Sequence, residues 1–366
     1  MGGTEAASKA PRRWGKGRAT VDWEVRGPRH GPMTTPVTLI SGFLGSGKTT
    51  LVQRILEESH GVRCAVVVNE FGAIGVDGDL VVRREAEGSA VVELANGCIC
   101  CEIQDDLRAT LTQLTEPGAG RGLVGRWLRR GEGGPERILV EASGAASPGP
   151  AVQTFLLDDG LSDRVHLDGV VTMLHAAKFE AQLEETAEAG TQIAYADRLV
   201  LNHSDRVAPE RLPELEALLG ELNPLAAVRH AERAAVPLEW LFGGGPTDGV
   251  GERWRDLSAA GGSHAHTAGL SSVSLRTRAE VDREAALMWL EFLSRRRGQE
   301  LMRAKGILRV AGGALLVQGV YQWLEAIDDA GAAPEESQLV LIGRDLDRGE
   351  LLRGWQAIGG AEASLG

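Results

Sequence analysis

The sequence predicts an α/β fold with a mostly parallel sheet, followed by a smaller α+β unit, and three observations carry that prediction. From Pro36 onward, short β-branched runs alternate with helical stretches, which is the βαβ rhythm of a parallel sheet covered by helices. The strands read as nearly continuous apolar runs, as strands buried on both faces should. Near residue 243 the composition turns to Gly, Ser and Thr with few large apolar groups, and a second, shorter set of elements begins beyond it.

The elements follow in chain order. Residues 1–34, rich in Gly, Arg, Pro and Lys without periodicity, are expected to form a flexible tail, nearly all of which a start at Met33 would remove. Strands are expected at Val37–Ile40 and Cys64–Val68, with a helix over Thr49–Glu58 between them. An apolar run, Val91–Leu94, precedes a turn and a polar helix start around Asp105, and a Gly- and Arg-rich connection covers 117–135. Strands at Ile138–Val140, Gly169–Met173 and Leu199–Leu201 complete the first unit, placed at 35–242. Residues 243–269 read as a linker. The second unit, 270–358, is expected to hold strands at Leu270–Leu275, Gly306–Val310 and Gln338–Ile342 and an amphipathic helix over Glu280–Leu293.

Bulk properties narrow the function. A chain of 366 residues, 43% hydrophobic and 25% charged, is that of a globular protein with two packed units. A net charge of −12 argues against a protein whose main partner is the nucleic-acid phosphate backbone. No apolar run approaches the roughly 20 residues that span a bilayer; the longest candidate, Ala314–Val320, is short and interrupted by glycine. Basic residues from Lys9 to Arg18 are not followed by an apolar core of a signal peptide, so a cytoplasmic protein is expected. Four cysteines, three of them within four positions, suit metal or redox ligands in a reducing compartment better than disulfides.

After the first strand stands Gly42-Phe-Leu-Gly45-Ser46-Gly47-Lys48-Thr49, a full match to G-x-x-x-x-G-K-[ST] in the required strand–loop–helix context. Glycines let backbone N–H groups wrap phosphates, and the helix N-terminus adds its dipole. Lys48 would reach the β and γ phosphates and the Thr49 hydroxyl would ligate Mg2+, with Thr50 beside them. Glu141-Ala-Ser-Gly144 ends a later strand, where an acid can hold Mg2+ through water and the Gly144 amide can contact the γ phosphate. Asn202-His203-Ser204-Asp205 ends another. It keeps the bracing Asn202 and the bidentate acceptor Asp205 of the guanine-reading N-K-x-D pattern, with His203 in place of the lysine whose stem covers the base; an imidazole can stack there.

Asn96-Gly97-Cys98-Ile99-Cys100-Cys101 packs three thiols into one C-x-C-C segment with no second C-x-x-C pair. Three soft donors hold a thiophilic ion tightly while an incomplete shell permits exchange, and binding requires thiolates and so weakens in acid. Small core residues or a redox switch are the alternatives. Cys64, alone in a strand, is assigned to the core.

Together these segments resemble the CobW-like family of metallochaperone GTPases over roughly Pro36 to the end. Its specific matches are Ile40–Thr50, Asn69-Glu-Phe-Gly72 with Gly75-Val-Asp77-Gly-Asp79, Glu93–Cys101, Glu141–Gly144, Arg303-Ala-Lys305-Gly306-Ile307, Gln318-Gly319-Val320 and Ile342-Gly-Arg344-Asp345-Leu346. The resemblance implies GTP hydrolysis coupled to delivery of Zn2+ or Co2+ to a client metalloprotein or a cobalamin-synthesis component. It implies Cys98, Cys100 and Cys101 as ion ligands and Asn69–Asp79 as a nucleotide-responsive switch. The chain departs from the family at Ala73, where many members have an acid, at His175, where an aspartate is usual, and at His203. Of the histidine-rich stretch that members often carry between domains, only His264 and His266 are present.

Two other classes fit parts of the pattern: a metal-storing or metal-sensing protein whose affinity nucleotide regulates, and an ATP-dependent kinase or ligase with redox-active cysteines. The latter lacks any acceptor-substrate motif.

Overall fold

The computed structural model describes residues 34–58, 61–68, 81–84, 90–93, 102–115, 134–242, 269–298, 300–320, 323–329, 333–359 and 364–365. Within them, eight strands form one sheet: β1 Thr35–Gly42, β2 Cys64–Val68, β3 Val81–Arg84, β4 Ala90–Glu93, β5 Arg137–Glu141, β6 Val165–His175, β7 Arg198–Asn202 and β8 Ala227–Ala231. Their order is β3-β4-β2-β5-β1-β6-β7-β8. All pairings are parallel except β3 with β4 at the edge.

The apolar runs of the central strands are explained by helices on both faces. Successive residues belong to opposite cores: Leu39, Val67, Val140 and Leu201 to one, Ile40, Val66, Leu139 and Val200 to the other. The helices of this unit are α1 Lys48–Glu57, α2 Glu102–Thr115, α3 Gly149–Leu157, α4 Asp159–Ser162, α5 Phe179–Glu185, α6 Ala187–Tyr195, α7 Leu212–Leu222 and α8 Leu238–Phe242. Apolar residues of α1 and α8 cover one face, whereas α2, α3 and α5 to α7 cover the other. The start of α6 is set by Thr186, whose hydroxyl accepts from the Ala189 N–H at 3.3 Å and so satisfies an otherwise orphaned donor.

A second, six-stranded sheet is wholly antiparallel. It contains β9 Leu270–Thr277, β10 Leu301–Val310, β11 Gly313–Val320, β12 Trp323–Asp329, β13 Ser337–Arg344 and β14 Ser364–Leu365 in the order β12-β11-β10-β13-β9-β14. Two helices, α9 Arg283–Arg297 and α10 Arg348–Gly359, pack on one of its faces. The Asp282 carboxylate caps α9 through the Ala285 N–H at 2.7 Å, and Arg295 to Arg297 complement the dipole in its last turn.

Strand alternation gives the second sheet two apolar faces. Leu339 and Leu341 of β13 join α9 and α10, while Val340 and Ile342 join the core of the first unit beside Ala189, Ile193 and Tyr195 of α6. Met302 and Val320 belong to that shared core too. The two sheets therefore rest on one continuous apolar seam.

Every strand expected in the described residues forms, Cys64–Val68 with the expected bounds and the others longer. The expected Gly169–Met173 is the eleven-residue β6, and the expected Gly306–Val310 is the second half of β10. The run Ala314–Val320, weighed only as a membrane candidate, is β11. No helix among the described residues is long and apolar enough to cross a membrane. The expected tail up to residue 33, the 117–135 connection up to residue 133, and the expected linker up to residue 268 lie outside the described residues.

Candidate functional site

The carboxyl ends of β1, β5, β6, β7 and β8 converge on the turn between β1 and α1. Glycine is required there on two counts. Gly42 has φ +136°, and a Cβ on it would stand 2.2 Å from the Met173 carbonyl oxygen; Gly47 has φ +102°, and its Cβ would stand 2.4 Å from Asn202 Nδ2. Gly45 adopts φ +76°. The turn thereby brings Lys48 back over itself, and its Nζ donates to the Gly42 carbonyl at 2.8 Å and the Phe43 carbonyl at 3.3 Å. Lys48 is 8% exposed. The Ser46 hydroxyl is buried without a hydrogen-bond partner among the described residues. A buried cation, an unsatisfied hydroxyl and the first turn of α1 aimed into one loop fit an anionic phosphate chain.

Thr49, exposed on the first turn of α1 beside exposed Thr50, donates its hydroxyl to Glu141 Oε1 at 2.9 Å. Glu141 ends β5 and is 6% exposed. Two hard oxygen donors side by side, next to the phosphate loop, suit Mg2+ and not a soft metal. Three residues on, a Cβ on Gly144 would lie 2.8 Å from Leu44 Cδ2, so the turn that follows β5 presses directly on the phosphate loop.

At the ends of β7 and β8 a second pair of loops is tied to the first. Asn202, 1% exposed, donates through Nδ2 to the Ser46 carbonyl at 2.8 Å and accepts from the Ala234 N–H at 2.9 Å. One amide thus braces the phosphate loop against the loop after β8. The Ser204 hydroxyl donates to the Ala231 carbonyl at 3.0 Å, which ties the loop after β7 to the end of β8. Asp205 is exposed, with its carboxylate open to a ligand. His203 takes a left-handed backbone, φ 59°, and its ring stacks on His175 with centroids 4.3 Å apart and 27° between planes. His175 Nδ1 accepts from the Ala177 N–H at 3.2 Å, which requires that nitrogen to be unprotonated. Burial, with His203, Lys178 and Arg206 nearby, pushes the His175 pKa below its ordinary value.

Cys98, Cys100 and Cys101, the expected switch Asn69–Asp79 with Ala73, and His264 and His266 lie outside the described residues. Among the described residues no group of three or more His, Cys, Asp or Glu side chains is arranged to hold a metal. Cys64 is a core residue of β2; burial, partly offset by Arg137, pushes its thiol up to about 11.

Two features escaped the sequence. The loop after β8 carries Arg233 at φ 48° and Ala234 at φ 56°, conformations that cost non-glycine residues free energy and concentrate where a ligand is held. Its strand reads Ala-Val-Arg-His-Ala, with no apolar run to mark it. Gln192, fully buried on α6, donates Nε2 to the carbonyls of Gly144 at 3.2 Å and Ala146 at 3.1 Å. The only signal was an amide standing inside an apolar helix.

A phosphate loop on a parallel sheet, an adjacent Thr–Glu pair and a braced second loop define a P-loop nucleotide-binding protein. The family model for the CobW/HypB/UreG nucleotide-binding domain matches residues 36–230, and that for the cobalamin synthesis protein cobW C-terminal domain matches residues 270–358. The chain belongs to this family. It is 32% identical to the zinc chaperone YjiA of Escherichia coli over 86% of this chain and 96% of that one. Identity to the zinc chaperone CobW of Pseudomonas aeruginosa is 31% over 90% of this chain and 94% of the relative. The crystal structure of Zn(II)-bound YjiA GTPase from E. coli superimposes with a TM-score of 0.67 at 27% identity, covering 89% of this chain and 99% of that one.

Proposed function

We propose that this chain is a GTP-hydrolysing metal chaperone that binds Zn2+ or Co2+ through Cys98, Cys100 and Cys101 and hands it to a client metalloprotein or a cobalamin-synthesis component. The observation that supports the reading best is the Thr49–Glu141 contact at 2.9 Å beside buried Lys48, hard oxygen donors suited to Mg2+ next to a cation suited to phosphate. Lys48 and the loop N–H groups bind the β and γ phosphates. Thr49 and Glu141 would hold Mg2+, which when bound would neutralise charge developing on the transferred phosphoryl group. The Gly144 amide senses the γ phosphate. Asn202 fixes the base loop, Asp205 accepts from guanine N1–H and N2–H, and the His203 ring, propped on His175, covers the base. The family relation and the named zinc chaperones and GTPases among its relatives support the metal and the nucleotide alike. The working units on this reading are 35–242 and 270–358, joined by 243–269.

Cargo exchange requires an open coordination position, which a three-thiolate C-x-C-C segment leaves. If GTP and metal prefer the same conformation, each tightens the other by the same factor, about 1–3 kcal/mol of coupling. The test is GTP turnover and Co2+ titration in parallel. Lys48→Ala should abolish turnover, and the triple Cys→Ser variant at 98, 100 and 101 should lose the near-ultraviolet thiolate charge-transfer band. Parental turnover in Lys48→Ala would overturn the nucleotide site. An unchanged band in the triple serine variant would overturn the metal site. Turnover with no response to metal, together with intact metal binding, would place the chain with nucleotide-regulated storage or sensing proteins.

A further inference from the structure

Helix α6 touches the γ-phosphate turn on one side and the second sheet at both ends. In its middle, the two Nε2 hydrogens of Gln192 are spent on the Gly144 and Ala146 carbonyls, which bracket the turn after Glu141. Its main-chain carbonyl accepts from Thr172 of β6 at 2.9 Å, which pins the helix to the sheet. At the N-terminal end, Arg344 of β13 donates to the Ala187 carbonyl at 2.7 Å and to the Thr191 hydroxyl at 3.2 Å. At the C-terminal end, Arg303 of β10 donates to the Tyr195 carbonyl and to the Asp197 carboxylate, and Lys305 reaches the same carboxylate at 2.7 Å. All residues from Ala189 to Tyr195 are buried.

We propose that Gln192 is a positioning residue for the γ-phosphate turn, and that α6 carries the state of that turn to the second sheet through Arg303 and Arg344. This deepens the GTPase reading and rests on it. A fully buried amide holding two carbonyls cannot follow a displaced turn without moving its helix, because the packing around it leaves no slack. The helix in turn cannot move without re-seating two arginines that grip its terminal carbonyls. Such an element has discrete arrangements and not a continuum, which is what a switch requires. Linkage makes the effect reciprocal: whichever nucleotide favours one seating of the second sheet is itself favoured by that seating.

The experiment compares the affinity of the full-length chain for GDP and for a non-hydrolysable GTP analogue, with Mg2+, in the parent, Gln192→Leu, Arg344→Gln and the double variant. Each single change should shift the GTP-to-GDP affinity ratio by about fivefold or more, in the same direction. The double variant should shift it no further than the larger single effect, since both act through one helix. A merely structural role would lower the melting temperature and leave the ratio alone. If Gln192→Leu fails to fold, Gln192→Asn replaces it, and Arg344→Gln, whose side chain is only partly buried, decides the matter. A ratio within twofold of the parent in folded Arg344→Gln and in the folded Gln192 variant overturns the relay. That failure is distinct from failure of the GTPase reading, which parental turnover in Lys48→Ala would expose first.

Discussion

His175 closes β6 and His203 follows β7, and the structure stacks their rings. The main-chain N–H of Ala177 fixes Nδ1 of His175 as an acceptor, so a second proton on that ring would break a hydrogen bond as well as place charge in a buried site. Burial is the leading cause that lowers its pKa, and His203, Lys178 and Arg206 push in the same direction. The sign follows from linkage: below the ordinary value of 6.5 the unfolded chain takes up a proton that the folded chain refuses. The contribution is thus intact above pH 6.5 and is lost as pH falls toward the folded pKa. Thermal unfolding at pH 7.5 and 5.5 should show the parent losing more stability on acidification than His175→Gln; equal losses would show that His175 does not titrate between states. Asp205→Asn exchanges a two-fold acceptor for a group with one acceptor and one donor, and should weaken GTP by 10-fold or more, about 1.4 kcal/mol or greater, while improving xanthosine nucleotide relative to it. Competition titration checks this.

Among the elements, what the sequence made legible was whatever a single local rule controls. The phosphate loop has its glycines and lysine at fixed spacing because backbone conformation and phosphate geometry leave no other choice. The central strands β1, β2, β5, β6 and β7 were readable since both their faces are buried. Strand β8 lies at the sheet edge with Arg229 exposed and His230 half-buried, so no apolar pattern marked it or the base loop it positions. Gln192 was equally hidden, because its partners are carbonyls 46 and 48 residues away. The α9–α10 contact shows how a tertiary demand can outweigh propensity. Gly354 sits inside α10, where alanine would gain about 1 kcal/mol of helix propensity. A Cβ there would stand 2.0 Å from Trp289 Nε1, and that indole packs beside the fully buried Trp355. Overpacking of this kind costs about 1–3 kcal/mol, so Gly354→Ala should lower the melting temperature by a few degrees. A rise would show that the indole simply swings aside.

The buried carboxylate of Asp197 joins the two sheets. Burial alone would raise its pKa, but Arg303 and Lys305, helped by hydrogen bonds from Lys305 and the Val170 N–H, hold it well below the usual carboxylate range. Its stabilising effect is therefore present above its ordinary value of 3.8 and is lost as pH falls through the lower folded value. Asp197→Asn leaves two cations facing an amide in an apolar seam, and removing one partner of a buried ion pair costs about 3–5 kcal/mol. Lys305→Met, which leaves the Arg303 pair intact, should cost less. Chemical denaturation of both variants, followed separately through each unit, checks the ranking; an Asp197→Asn protein as stable as the parent would show that the seam does not depend on charge. The same seam has a consequence for how the chain is made. Ala187 and the Arg344 that grips its carbonyl are 157 residues apart, so at about 5–20 residues per second the ribosome leaves the apolar flank of α6 uncovered for roughly 8–30 s. During that interval the nascent first unit presents the surface on which Val340 and Ile342 will later settle, and it is a natural substrate for holding chaperones. A chain cut short near residue 242 would carry that exposed flank permanently, and its fate in the cell would be aggregation or proteolysis instead of an independent nucleotide-binding module.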